Sequence, residues 1–266
     1  MVDSHCHLDA PQFQQDREQV MERARLACVR AIVVPGVDLA SSRAAASLAQ
    51  EYQELVAAVG VHPHEAKTMD QSTLIKLRAL ASQAKVVAIG EIGLDYYRDL
   101  SPREVQRQAF QTQLDLAAEL GLPVIVHDRE AHADVLAMLR DWHGGLCNPE
   151  LRTRPGVLHS FSGDTALAEH ITAMGFRLGI SGPVTYPNAE KTRAVVRAIP
   201  LESLLIETDA PYLAPQSRRG KRNEPAYVRY VAEAIAEARA ISVEQVIEQT
   251  TRHADRLFGL NLDERR

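Results

Sequence analysis

The chain of 266 residues has only three cysteines, Cys6, Cys28 and Cys147, an odd number at spacings that suggest no pairing. That argues against a disulfide framework and fits a reducing, cytoplasmic setting in which the thiols act as small packing residues. Positive charge is not in excess either. The formal net charge is -5, so any contact with a polyanion must rest on a local basic surface or on bound cations. No uncharged apolar run approaches the roughly 18 residues of a membrane span. The first residues read as a strand, without the basic and apolar segments of a secretory signal. Linkers and low-complexity tracts are also missing, and one domain over residues 1–266 is expected.

What the chain does have is alternation. Short apolar runs rich in β-branched residues alternate with longer segments of helical period. The runs predict strands at 2–5, 31–35, 55–61, 86–91, 123–127, 157–160, 177–181 and 204–208. Helices are expected around 12–28, 39–51, 71–83, 102–120, 130–141, 165–174, 188–198 and 225–239, with one or two more at 242–258. In the fourth helix Phe110, Leu114, Ala117 and Ala118 recur at helical spacing, with Ser101 as cap, Pro102 as first helical residue and Gly121 as stop. Segment 141–156, with Gly144, Gly145, Pro149 and Pro155, reads as a surface loop. Eight strand–helix repeats without a linker, in a chain near the roughly 250 residues typical of the fold, favour a (β/α)8 TIM barrel over an open doubly wound sheet.

In such a barrel the strand ends converge on one face, where chemistry is kept. His5, His7, Glu91, His127, His159 and Asp209 all follow β-type runs. Strand alternation puts His5 and His7 on one side and Cys6 on the other, so the pair can present two imidazoles to one ion. Four histidines and two carboxylates exceed the three protein ligands usual for one catalytic zinc, which implies two ions. Glu91 is placed to bridge them, with His5, His7 and Asp209 completing one site and His127 and His159 holding the other. A nitrogen and oxygen donor set without thiolate suits zinc, manganese, iron or nickel, and magnesium is accommodated as well.

Other residues carry alternatives. Glu207 is expected either to hold a third ion or to orient a ligand from behind. His62 is expected to line the pocket, and His64 either to join it or to face solvent beyond Pro63. Arg129 can clamp phosphate or pair with Asp128 or Glu130. Arg218, Arg219, Lys221 and Arg222 can guide a phosphate backbone or stand solvated. Tyr96 and Tyr97 can stack on a base or pack their own loop. His132, His143, His170 and His253 read as structural or solvated.

These residues fall into motifs. Asp3-Ser4-His5-Cys6-His7-Leu8, Gly60-Val61-His62-Pro63, Gly90-Glu91-Ile92-Gly93-Leu94-Asp95-Tyr96 and His127-Asp128-Arg129 are followed by His159-Ser160-Phe161-Ser162-Gly163, Glu207-Thr208-Asp209-Ala210-Pro211-Tyr212 and Arg219-Gly220-Lys221-Arg222-Asn223-Glu224-Pro225. In this order, over nearly the whole chain, they resemble the TatD-like metal-dependent deoxyribonucleases, whose fold is an amidohydrolase-like TIM barrel. Ser160 stands where that family usually has Cys beside the ligand.

The resemblance implies a first ion on His5, His7, Glu91 and Asp209 and a second on Glu91, His127 and His159. It implies phosphodiester hydrolysis by activated water, with Asp209 and Glu91 catalytic, and a DNA substrate, single-stranded or end-exposed, digested 3′ to 5′. No membrane association and no obligate protein partner are expected. The rival expectations are a small-molecule hydrolase of the wider barrel superfamily, acting on a lactone, amide or phosphoester, and a non-catalytic metal-binding protein. The first rival is weakened because many such enzymes bridge their ions with a carboxylated lysine, where this chain offers Glu91.

Overall fold

Each apolar run becomes a strand of one sheet. The computed structural model describes residues 1–262, with strands β1 (Val2–Asp3), β2 (Ala31–Pro35), β3 (Leu55–Val59), β4 (Val86–Asp95), β5 (Val124–Arg129), β6 (Gly156–Leu158), β7 (Arg177–Ile180) and β8 (Leu204–Ile206). They lie side by side in chain order, every neighbouring pair parallel. The ring closes where the Ser4 N–H donates to the Ile206 carbonyl at 3.1 Å and Cys6 bridges Ala210 in parallel. This is the TIM barrel the alternation predicts.

Helices α1 (Arg17–Leu26), α2 (Leu39–Glu51), α3 (Gln71–Ala81), α4 (Arg103–Leu120), α5 (His132–Gly145), α6 (Pro149–Thr153), α7 (Thr165–Ala173) and α8 (Glu190–Ala198) connect successive strands. Two more, α9 (Val228–Arg239) and α10 (Val243–Phe258), follow β8. Every residue of β2 and β3 is buried, as parallel strands covered on both faces require. Alternate strand residues therefore pack in opposite directions. Val33, Val56, Ala58, Ile125, Val157 and Leu205 form one cluster with Leu257 and Phe258, so the end of α10 joins the barrel's inner packing. The intervening residues, among them Ile32, Val34, Leu55 and Val126, pack with the surrounding helices.

The structure corrects several expected boundaries. Segment 141–156 is not a loop: α5 continues to Gly145, and α6 follows, capped by the Asn148 side chain, which accepts from the Glu150 and Leu151 N–H groups. Burial of Leu146 and Leu151 secures this stretch despite its glycines and prolines. Ser101 does not cap α4; its hydroxyl donates to the His64 carbonyl at 2.9 Å, and Pro102 takes the cap position. The first helix starts only at Arg17, after a 3-10 turn that buries Phe13. No helix among the described residues is long and apolar enough to cross a membrane.

Gly93 marks the tightest approach between β4 and β5. Its φ is +142°, and a Cβ there would stand 2.0 Å from the His127 carbonyl oxygen. Gly93→Ala is expected to cost at least about 2 kcal/mol from backbone strain and collision. A lowered urea midpoint at unchanged slope is the result to look for; an unchanged midpoint would contradict it.

Candidate metal centre

Backbone irregularity aims the polar side chains. β1, β3, β6 and β8 end before His5, His62, His159 and Asp209, so these residues sit on irregular backbone just past the strand ends, at the mouth of the barrel. Asp209 has a φ of 55° and Ser160, beside His159, one of 45°. In β4 the register with β5 slips between Ile89 and Ile92, and the Glu91 N–H turns to the Gly36 carbonyl at 2.8 Å. Such a slip re-aims a side chain.

Two groups of donor atoms result, and Glu91 belongs to both. Its Oε2 lies 3.3 Å from His5 Nε2 and 3.7 Å from His7 Nε2. The two Nε2 atoms are 3.2 Å apart, and Asp209 Oδ1 stands 3.7 Å from the first and 3.5 Å from the second. Its Oε1 lies 2.9 Å from both His127 Nδ1 and His159 Nε2, which are themselves 3.3 Å apart. Ligands at about 2.0–2.2 Å from one ion are roughly 3.0–3.5 Å from one another, so both groups fit a divalent cation. Glu91 is 3% exposed and His5 wholly buried, which makes an uncompensated charge here costly.

The second nitrogen of His127 has a partner of its own. His127 Nε2 faces Asp95 Oδ2 at 3.2 Å, and His64 Nε2 faces the same oxygen at 2.8 Å. The Nδ1 of His127 faces a carboxylate as well, Glu91 at 2.9 Å, so with an ion taking the Nδ1 lone pair the proton of His127 would stand on Nε2, donated to Asp95. Asp95 was not singled out as a site residue by sequence, although it lies in the quoted motif. Its other oxygen accepts from the Tyr97 and Arg98 N–H groups at 3.0 and 2.7 Å. Burial pushes its carboxyl up, but hydrogen bonds from His127, the Arg98 backbone and His64 outweigh that and hold it below its ordinary value.

His62 differs from the others. Its Nε2 is 3.4 Å from Glu91 Oε1, but its Nδ1 accepts the His64 N–H at 3.1 Å. Burial, followed by the neighbouring His127, pushes its pKa down to about 4, so the ring is neutral with its proton on Nε2. It is set up to donate a hydrogen bond, to Glu91 or to a bound anion. Glu207, wholly buried, stands 3.6 Å from His159 Nδ1 and accepts the Ser160 N–H at 2.5 Å. This places it behind His159.

Charge within the cluster is strongly redistributed. Burial raises the Glu91 carboxyl, yet His159, His62 and His5 together hold it well below the usual range. Burial lowers His159, yet Glu91 lifts it well above its ordinary value. His5 is lowered, by burial and then by His159, whose ring stacks on it at 3.9 Å.

The remaining candidates lie farther out. Arg129 makes no ion pair among the described residues: its guanidinium lies over the Tyr97 ring, 4.2 Å from the centroid, while Asp128 pairs with His132 at 2.8 Å. The Tyr96 hydroxyl donates to Asp134 at 2.5 Å, and Arg103 covers its ring. The basic loop is largely engaged elsewhere. Arg222 pairs with Asp16 at 2.6 Å, Arg218 packs on Tyr227 and Tyr230, and Arg219 lies over Tyr186. Neither Arg219 nor Lys221 lines the cavity above the centre, whose volume is about 1060 Å³. His253 is buried in α10, away from the barrel mouth.

Residues 2–259 match the family model described as TatD related DNase. The chain belongs to this family. A relative in Bacillus subtilis (strain 168), the uncharacterized metal-dependent hydrolase YabD, is 42% identical over 98% of this chain and 100% of its own length. The 3'-5' ssDNA/RNA exonuclease TatD of Erwinia amylovora is 38% identical, again over 98% of this chain and 100% of the relative. Among solved structures, the TatD homologue YjjV of Escherichia coli K12 superposes with a TM-score of 0.90 at 36% identity, covering 97% of this chain and 98% of that one. Membership in the TatD family makes the chain a metal-dependent hydrolase.

Proposed function

We propose that this chain, as a single domain, is a nuclease with two divalent ions that removes nucleotides from the 3′ end of single-stranded or end-exposed DNA in the cytoplasm. The observation that carries the two-ion reading is that the two oxygens of Glu91 face different imidazole pairs, Oε2 toward His5 and His7 and Oε1 toward His127 and His159. His5, His7 and Asp209 would hold one ion with Glu91 Oε2; His127 and His159 would hold the other with Glu91 Oε1. The donor set suits zinc, manganese or magnesium. Bound there, the ions would supply Lewis acidity and make water acidic enough to react near neutral pH.

The chain's own groups then have distinct parts. Asp209 stands at the rim of the first group, where its carboxylate can orient the attacking water and accept its proton. His62 Nε2–H can donate to a phosphoryl oxygen, and its low pKa keeps it neutral across the physiological range. Asp95 and Glu207 hold His127 and His159 from behind. The curated relatives named as exonucleases support a nucleic-acid substrate, whereas Glu91 in place of a carboxylated lysine weighs against a lactone or amide.

The reading is tested with metal-reconstituted protein on strands labelled at either end, beside an ester and lactone panel, with Glu91→Ala as control. Nucleotide release from the 3′ end by the wild type alone is the expected result. Turnover confined to the small-molecule panel would transfer the site to the rival class. Ion binding is also expected to stabilise the fold. At about 100 times the dissociation constant it contributes roughly 2.7 kcal/mol, so chelation should lower the melting temperature by roughly 5–10 °C. A melting curve indifferent to chelator would count against an ion-binding centre.

A further inference from the structure

The cavity above the centre is divided by charge. Of its two lining arginines, Arg98 lies three residues past the end of β4 and Arg129 is the last residue of β5. The wall that runs on from there, formed by the segments after β6, β7 and β8, offers Ser160, Phe161, Ser181, Pro183, Val184 and Tyr212 to the cavity and no lysine or arginine.

The two arginines are also free to act. Neither makes an ion pair among the described residues, and three neighbouring carboxylates have other partners: Asp95 two imidazoles and two backbone N–H groups, Asp99 Arg103, and Asp128 His132. Stacking on Tyr97 steadies the Arg129 guanidinium at the rim. In the second wall Tyr212 is 54% exposed, with its ring 6.1 Å from that of His7, so an aromatic face stands beside the first donor group.

We infer that a single strand crosses the centre in one sense only: the terminal nucleoside sits against the uncharged wall of the β6, β7 and β8 turns, and the phosphates upstream of the scissile bond pass over Arg98 and Arg129. This inference rests on the nuclease reading. The reverse placement would set phosphates against Phe161, Pro183 and Val184, where they would lose hydration without a partner, and leave both arginines facing a neutral terminus. The basic loop at Arg218 to Arg222 lies outside this track, its arginines already packed or paired.

The test compares two substrates on the metal-loaded protein. One is a 12-nucleotide single strand; the other is thymidine 5′-(p-nitrophenyl phosphate), which has a terminal nucleoside and a phosphodiester but no upstream phosphate. In the double variant Arg98→Ala/Arg129→Ala the ratio of kcat/KM for the strand over the ester is expected to fall about 100-fold, roughly tenfold for each charged contact. The salt dependence on the strand should become shallower by about 1.4 logarithmic units, from about 0.7 per phosphate contact. Tyr212→Ala should instead lower both substrates alike. Equal losses on strand and ester in the double variant, or an unmoved salt slope, would overturn the placement. Wild-type protein that hydrolyses neither nucleotide would overturn the nuclease reading itself, which separates the two failures.

Discussion

Glu91→Gln is expected to reduce hydrolysis by about a thousandfold or more, beyond the roughly 10–100-fold typical of a residue that only supports a ligand. The substitution keeps the side chain's size but leaves one acceptor oxygen where two are used. Its new NH2 must face either the His5 and His7 nitrogens or those of His127 and His159, all within 3.7 Å of the present oxygens. It also removes the shared negative charge from a group that is 3% exposed. Metal analysis of the purified variant should show at most one tightly held ion where the wild type is expected to show two. Far-UV circular dichroism should be unchanged, since the side chain's volume is retained. Two ions per chain with near-normal turnover in the variant would refute the bridging role.

Asp95→Asn is expected to weaken one of the two ion affinities by about 10–100-fold and leave the other nearly intact. Asp95 has donors against both oxygens, two N–H groups on one and His64 and His127 on the other. An asparagine amide necessarily turns an NH2 toward one of these pairs. If it faces His127, the imidazole must move its proton to Nδ1, and the lone pair aimed at the centre is lost. Calorimetric titration with the metal reads this directly as one weakened step beside one unchanged step. Two unchanged steps would show that Asp95 does not govern the His127 tautomer.

These effects differ in how far the sequence announces them. The barrel was legible because its cause is local: β-branched apolar runs suit strands buried on both faces, and eight of them alternate with segments of helical period. Strand ends were less legible. Backbone beyond Asp3, Val59, Leu158 and Ile206 is irregular where it delivers His5, His62, His159 and Asp209, and irregular backbone of that kind has no periodic signature. The helix α6 and the extension of α5 were hidden for a similar reason, since burial of Leu146 and Leu151 by the folded barrel overrides local glycine and proline. Asp95 had a readable signal. Carrying β4 past Glu91 at period two puts residues 91, 93 and 95 on one face, and Gly93 in the middle marked a close backbone approach.

The charged residues show the same boundary from the other side. Four basic residues after β8 look in sequence like a phosphate guide, but Arg222 is drawn to Asp16, 206 positions away, and Arg218 and Arg219 lie on tyrosines. Arg98 carried no motif and stands at the cavity without an ion pair among the described residues. The sequence by itself therefore determined the fold class and the chemical kind of donors at the barrel mouth, because periodicity and side-chain chemistry are local properties. Only the tertiary structure decided which nitrogen of each imidazole faces the centre, how Glu91 divides its two oxygens and which cations remain free. Those outcomes depend on partners that the folded backbone brings together from opposite ends of the chain.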